Sequence, residues 1–230
     1  IDINNGMNRS GIELGVQLNE LIDELRSYKS LKFKGLHVYD GHFRGSDFQE
    51  RQQKVESEFK RVQDKFDHLK KDDPDIELIC GGTPTFTSHL LKDSRICSPG
   101  TCVFWDWGYN DKLKEQNFDF AVLLISRVIS KPTNNIITID LGHKAVASEN
   151  PIDKRVKFLN LKEYELISQS EEHGVLEVQD WDAFKVGDIL YGVPYHICPT
   201  VNLYDEVSVI RSHQKVESWE ILGRKRKLTI

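Results

Sequence analysis

Apolar positions in the first half of the chain recur with a helical period, broken by short β-rich runs. Ser10-Gly11-Ile12-Glu13 matches a capping box, and Leu14, Leu18, Leu21, Ile22 and Leu25 follow on one face, so a helix is expected to begin near Ser10. Phe33–Val38 reads as a short strand that ends in the polar loop Tyr39-Asp40-Gly41-His42. Phe48, Gln52, Val55, Phe59, Val62, Phe66 and Leu69 then mark one face of a long helix, with charges on the other. Asp72-Asp73-Pro74 should stop it. Ile76–Cys80 is the next strand, running into Gly81-Gly82-Thr83-Pro84-Thr85. A short helix around Ser88–Leu91 leads to a brief strand, Arg95-Ile96-Cys97, and then to Ser98-Pro99-Gly100-Thr101.

This alternation of strand, loop and helix implies parallel strands joined by right-handed crossovers. Each polar cluster falls just after a strand, which in a β/α barrel is the active-site face. Gly82-Thr83 and Gly100-Thr101 suit an anion, because glycine lets backbone N–H groups approach it. Taken singly, either pair reads equally well as a turn. After about Tyr109 the pattern changes to short β-rich segments between turn residues: 121–129, 136–140, 156–159, 174–178, 188–191 and 206–210. The expected fold class is therefore α/β plus β. Residues 1–109 should form the later strands of a (β/α)8 barrel, and residues 110–230 an antiparallel β domain.

Composition narrows the function classes. With 39% hydrophobic and 29% charged residues, the chain has enough apolar material for a core. A net charge of -5 and no long basic run argue against nucleic acid as the main partner. No apolar run is long enough to span a bilayer. The four cysteines, Cys80, Cys97, Cys102 and Cys198, follow no secreted framework, so a reducing, cytoplasmic setting is expected. Near the end of the chain, Pro194-Tyr195-His196-Ile197-Cys198-Pro199 sets an imidazole and a thiol two residues apart between prolines. In an extended segment both would point to one face and converge on a cation. On spacing alone, a thiol beside an ordinary histidine is the preferred reading.

Several of these blocks resemble one family. Gly6-Met7-Asn8-Arg9-Ser10-Gly11 resembles the G-M-x-R-x-G segment of the alanine-racemase-like, fold-type III pyridoxal-phosphate enzymes. The segments 35–42, 81–86, 98–101, 140–144 and 195–200 look like the D-threonine aldolase and D-serine dehydratase branch. The resemblance implies that Gly82, Thr83, Gly100 and Thr101 hold the cofactor phosphate and that Arg9 reaches the cofactor ring region. It implies that Tyr39 sits beside cofactor and substrate, and that His196 and Cys198 bind a divalent metal, zinc or manganese. His42 is the candidate base for a substrate hydroxyl.

The implied activity is cleavage of a β-hydroxy-D-amino acid to glycine and an aldehyde, the D-threonine aldolase reaction. D-serine dehydration to pyruvate and ammonia, and non-catalytic binding of pyridoxal phosphate, are the alternatives. The family also suggests a homodimer. The opening Ile1-Asp2-Ile3-Asn4 reads as the end of a strand already under way. Upstream sequence is therefore expected, and with it the family's Schiff-base lysine, which lies on an early barrel strand. Without that segment the polypeptide should not be a competent enzyme. Lys144 falls in the β half and reads as a structural or rim residue.

Overall fold

The computed structural model describes residues 1–228, which divide into two compact units. The first comprises residues 1–102 and 112–117; the second comprises residues 103–111 and 118 onward.

In the first unit, strands β1 (Gly35–Val38), β2 (Glu77–Cys80) and β3 (Arg95–Cys97) pair in parallel in sequence order. Helix α1 (Val16–Ser27) precedes β1, α2 (Phe48–Asp72) lies between β1 and β2, and α3 (Phe86–His89) lies between β2 and β3. Helix α2 starts where Asp47 accepts a hydrogen bond from the Glu50 N–H at 2.8 Å, capping an orphan donor. Val55, Phe59, Val62, Phe66 and Leu69 are buried along one side of it. Phe59, Val62, Phe66 and Leu69 join Leu36, Val38, Leu78 and Cys80 from the strands in one apolar cluster. Lys70 and Lys71 complement the dipole of the last turn, and the helix stops before Pro74.

The first helix begins later than the capping box suggests. Its N-cap is Gly15, and Ser10 instead donates its hydroxyl to Asp2 at 2.8 Å. Gly11 explains why. Its φ is +91°, and a Cβ there would lie 2.6 Å from the Asn4 nitrogen, so this segment is bound against the opening residues and does not coil. Asp2 forms an isolated parallel bridge with His37, and Ile3 with Ile12.

In the second unit, six antiparallel strands form one sheet in the order β6-β9-β4-β5-β8-β7. These are β4 (Leu124–Thr133), β5 (Ile136–Ile139), β6 (Val156–Phe158), β7 (Tyr164–Gln169), β8 (Gly174–Val178) and β9 (Ile189–Pro194). Two short helices, α4 (Trp107–Lys112) and α5 (Ile197–Val201), flank the ends of this run in sequence. A separate hairpin pairs β10 (Glu206–Arg211) with β11 (Gln214–Glu220). Buried and exposed residues alternate from Leu124 to Ile129 in β4, so one face feeds the core, which gathers Leu124, Val128, Ile137, Ile139, Leu176 and Leu190. Strands β7 and β11 add to the six expected from the sequence. Among the described residues, no helix is long and apolar enough to cross a membrane.

Phe59 is fully buried in the first unit's core. Phe59→Ala should cost about 3–5 kcal/mol, from lost transfer energy and the cavity left behind, read by urea unfolding.

Candidate active site

The loops that follow β1, β2 and β3 carry the candidate residues of the first unit. After β1, the Tyr39 ring packs over two glycines: a Cβ on Gly41 would lie 2.2 Å from its hydroxyl oxygen, and one on Gly82 would lie 2.7 Å from its Cε2. Both glycines are buried. The Arg9 guanidinium lies 4.2 Å from the centroid of the same ring. Arg9 is placed there by a tight loop. Asn4 Oδ1 accepts from the Gly6 N–H at 3.2 Å and the Asn8 N–H at 3.0 Å, while Gly6 and Asn8 take positive φ. His42 is exposed, its ring lies tilted against Phe43 with the centroids 4.0 Å apart, and its Nε2 would lie 3.8 Å from a Cβ on Gly6.

After β2 and β3, Thr83 and Thr101 meet directly. The Thr101 N–H donates to Thr83 Oγ1 at 3.1 Å, and Gln116 Nε2 donates to the Thr83 carbonyl at 2.7 Å. Gln116 Oε1 is buried with no hydrogen-bond partner. A Cβ on Gly100 would meet nothing within 4 Å, so the backbone there stands open. The structure thus brings Arg9, Tyr39 and Gly82 together, and joins Thr83 to Thr101. Glycine backbone in two adjacent loops, open at Gly100, with a threonine hydroxyl between them, is the kind of surface that lets an anion approach main-chain N–H groups, and in chemistry it fits a phosphate group.

In the second unit, His196 and Cys198 come together differently from the extended segment expected. Strand β9 ends at Pro194, His196 has extended angles as the N-cap, and Cys198 already lies in the first turn of α5. The two side chains are hydrogen-bonded, and Glu149 Oε1 lies 2.6 Å from His196 Nδ1. The imidazole is pushed up to about 9: the hydrogen bond with Cys198 is the largest cause, partial burial opposes it, and Glu149 adds to it. Among the described residues, no group of three or more His, Cys, Asp or Glu side chains is disposed to hold a metal. An imidazole and a thiol alone fit only an open metal site, whose other positions are filled from solvent or substrate.

The segment is anchored by residues that sequence reasoning passed over. Buried Asp106 accepts from the Ile197 N–H at 3.0 Å and from the Tyr109 N–H at 2.8 Å. The Gly108 N–H donates to the Tyr195 carbonyl at 3.0 Å, and Trp107 meets Tyr195 edge-on at 5.2 Å. The available signal was the run Trp105-Asp106-Trp107-Gly108, an acid between two tryptophans with a glycine directly after them. The metal-free His196 ring should titrate near 9 by NMR. Cys198→Ala should bring the midpoint down furthest and Glu149→Gln by less, because the cysteine is the larger cause.

Comparison with known proteins gives a consistent result. Residues 1–106 match the family model described as alanine racemase, N-terminal domain, and residues 121–210 match the putative serine dehydratase domain. The chain is 25% identical to a 3-hydroxy-D-aspartate aldolase of Paracoccus denitrificans, over 97% of this chain and 59% of that protein. It is also 25% identical to a D-threonine aldolase of an Arthrobacter species, over 97% of this chain and 60% of that protein. The crystal structure of D-threonine aldolase from Filomicrobium marinum superposes with a TM-score of 0.84 at 23% identity, over 97% of this chain and 62% of that one. The chain therefore spans about three-fifths of the length of the curated relatives it matches. Two successive family models and likeness over nearly the whole chain to one kind of relative agree: along its length the chain is similar to the alanine-racemase-like, fold-type III pyridoxal-phosphate enzymes.

Proposed function

We propose that the protein to which this chain belongs is a pyridoxal-phosphate-dependent lyase that cleaves β-hydroxy-D-amino acids to glycine and an aldehyde. The observation that carries the reading is the Tyr39–Gly82 contact with Arg9 on the ring, beside the joined Thr83 and Thr101 loops. Gly82, Thr83, Gly100 and Thr101 hold the phosphate. Pyridoxal phosphate, when bound, supplies the electron sink for breaking a bond at the substrate α-carbon. Arg9 places positive charge over the Tyr39 ring and orients that side of the cradle. His42 is exposed and takes the proton of the substrate hydroxyl. His196 and Cys198 would hold a divalent ion, zinc for preference from their nitrogen and sulfur donors, and such an ion lowers the pKa of a hydroxyl or water. The first unit is the later part of a β/α barrel and the second its β domain. A homodimer is the proposed assembly.

The relatives support the aldolase reading first, as aldolases of β-hydroxy-D-amino acids by name. Dehydration of a β-hydroxy-D-amino acid is the second reading, favoured by the serine dehydratase domain match. Product analysis on the full-length protein separates them. Acetaldehyde and glycine from D-threonine are expected; pyruvate from D-serine without aldehyde from D-threonine would replace the first reading with the second. The cradle has its own test. Gly100→Val should leave stability within about 0.5 kcal/mol, because its Cβ enters open space, yet weaken cofactor retention. Unchanged retention would move the phosphate elsewhere.

A further inference from the structure

Beneath the candidate cradle lies a polar network that the proposed chemistry does not use. Asp40, Thr85 and His89 are fully buried. The Thr85 hydroxyl donates to Asp40 Oδ1 at 2.5 Å, and His89 Nε2 lies 2.7 Å from Asp40 Oδ2. Arg95 Nη1 lies 3.0 Å from His89 Nδ1. A guanidinium can only donate, so Nδ1 accepts and the ring proton sits on Nε2, aimed at Asp40. The relay runs from cation through neutral imidazole to carboxylate, and each Asp40 oxygen receives a donor. Arg95 is held in turn by Gln63 Oε1 at 2.9 Å and by the Phe59 ring at 4.4 Å. Gly81, with φ +75°, makes room for the imidazole: a Cβ there would lie 2.6 Å from His89 Cδ2.

Such a network is a poor source of stability. Buried ionic groups seldom outperform apolar residues of the same volume, whereas losing one partner is costly. Its location gives the better account. Asp40 is one peptide from Tyr39 and two residues from His42; Thr85 closes the Gly81–Thr85 loop; Arg95 opens β3. The relay therefore ties together the segments that follow β1 and β2 and the strand beside them. We propose that Asp40, held by Thr85, His89 and Arg95, is the positioning residue that fixes Tyr39 against the glycine floor of the cradle. This deepens the cofactor reading above and rests on it for the ligand, but the relay itself is tested without one.

The test uses the full-length protein with Asp40→Asn, His89→Ala and His89→Gln, two readouts each. The first is hydrogen exchange of residues 39–42 and 82–85 without cofactor; the second is the Kd for pyridoxal 5'-phosphate. Asp40→Asn and His89→Ala should speed exchange in both segments together by about tenfold or more, and weaken the Kd by about tenfold. His89→Gln keeps an N–H for Asp40 and a carbonyl for Arg95, and should restore both readouts to within about threefold. Unchanged exchange at 39–42 in the first two variants, or no recovery with glutamine, would overturn the proposal. If the wild-type protein binds no pyridoxal phosphate, the cofactor reading falls and exchange alone decides the relay. Should Asp40→Asn fail to fold, Thr85→Val removes one donor from the same carboxylate and is judged by the same two outcomes.

Discussion

A tyrosine ring lies so close to two glycines that neither position can carry a side chain without displacing it. A Cβ on Gly41 or Gly82 would fall within 2.7 Å of Tyr39 atoms, far inside van der Waals contact. The remainder of the first unit is arranged to keep that contact. Parallel strands β1 and β2 run in register from Gly35 and Glu77, which brings Val38 beside Cys80 and the two loops side by side. Helix α2 covers the sheet with one apolar stripe. The buried Asp40–His89 pair lies just beyond the ends of β1 and β2 and is reached by half-buried Arg95 from the start of β3. Apolar burial sets where the strands go, and polar satisfaction sets where their ends stop.

The second unit follows a different logic. Its six-stranded sheet buries one face, and its chemistry sits where β9 gives way to α5. There the chain turns sharply, so backbone donors need partners. Asp106 meets two of them, at Tyr109 and Ile197, and the same bonds hold His196 and Cys198 at the helix start. Glu149 on Nδ1 fixes the orientation of the imidazole from the other side. Positive charge on His196 is favoured because a thiol and a carboxylate both face it.

Much of this was legible from residue pattern. Helix α2 announces itself through a stripe from Phe48 to Leu69, and β3 was placed residue for residue. The features missed share a physical cause. Strand β11 is exposed throughout, so no burial pattern betrays it; it exists through pairing with β10. Strand β7 has one buried residue, Leu166, too few to mark a strand by alternation. The capping-box pattern at Ser10 was overruled by the tertiary hydrogen bond to Asp2. Asp40 and Thr85 fell in polar loops and His89 in a short helix, with no role assigned to them, because a buried polar residue differs from a solvated one only in its partners, and those lie as many as 49 positions away. His196 and Cys198 were picked out as a pair, but by strand alternation, when a helix cap is what joins them.

The central claim is that the loops after the three parallel strands form one phosphate cradle under Tyr39. Backbone amide NMR of the full-length protein, titrated with pyridoxal 5'-phosphate, tests it most directly. If these loops form one cradle, the amides of Gly82, Thr83, Gly100 and Thr101 shift together and saturate at one ligand concentration. Saturable shifts confined to other segments, with these four amides unmoved, would contradict it.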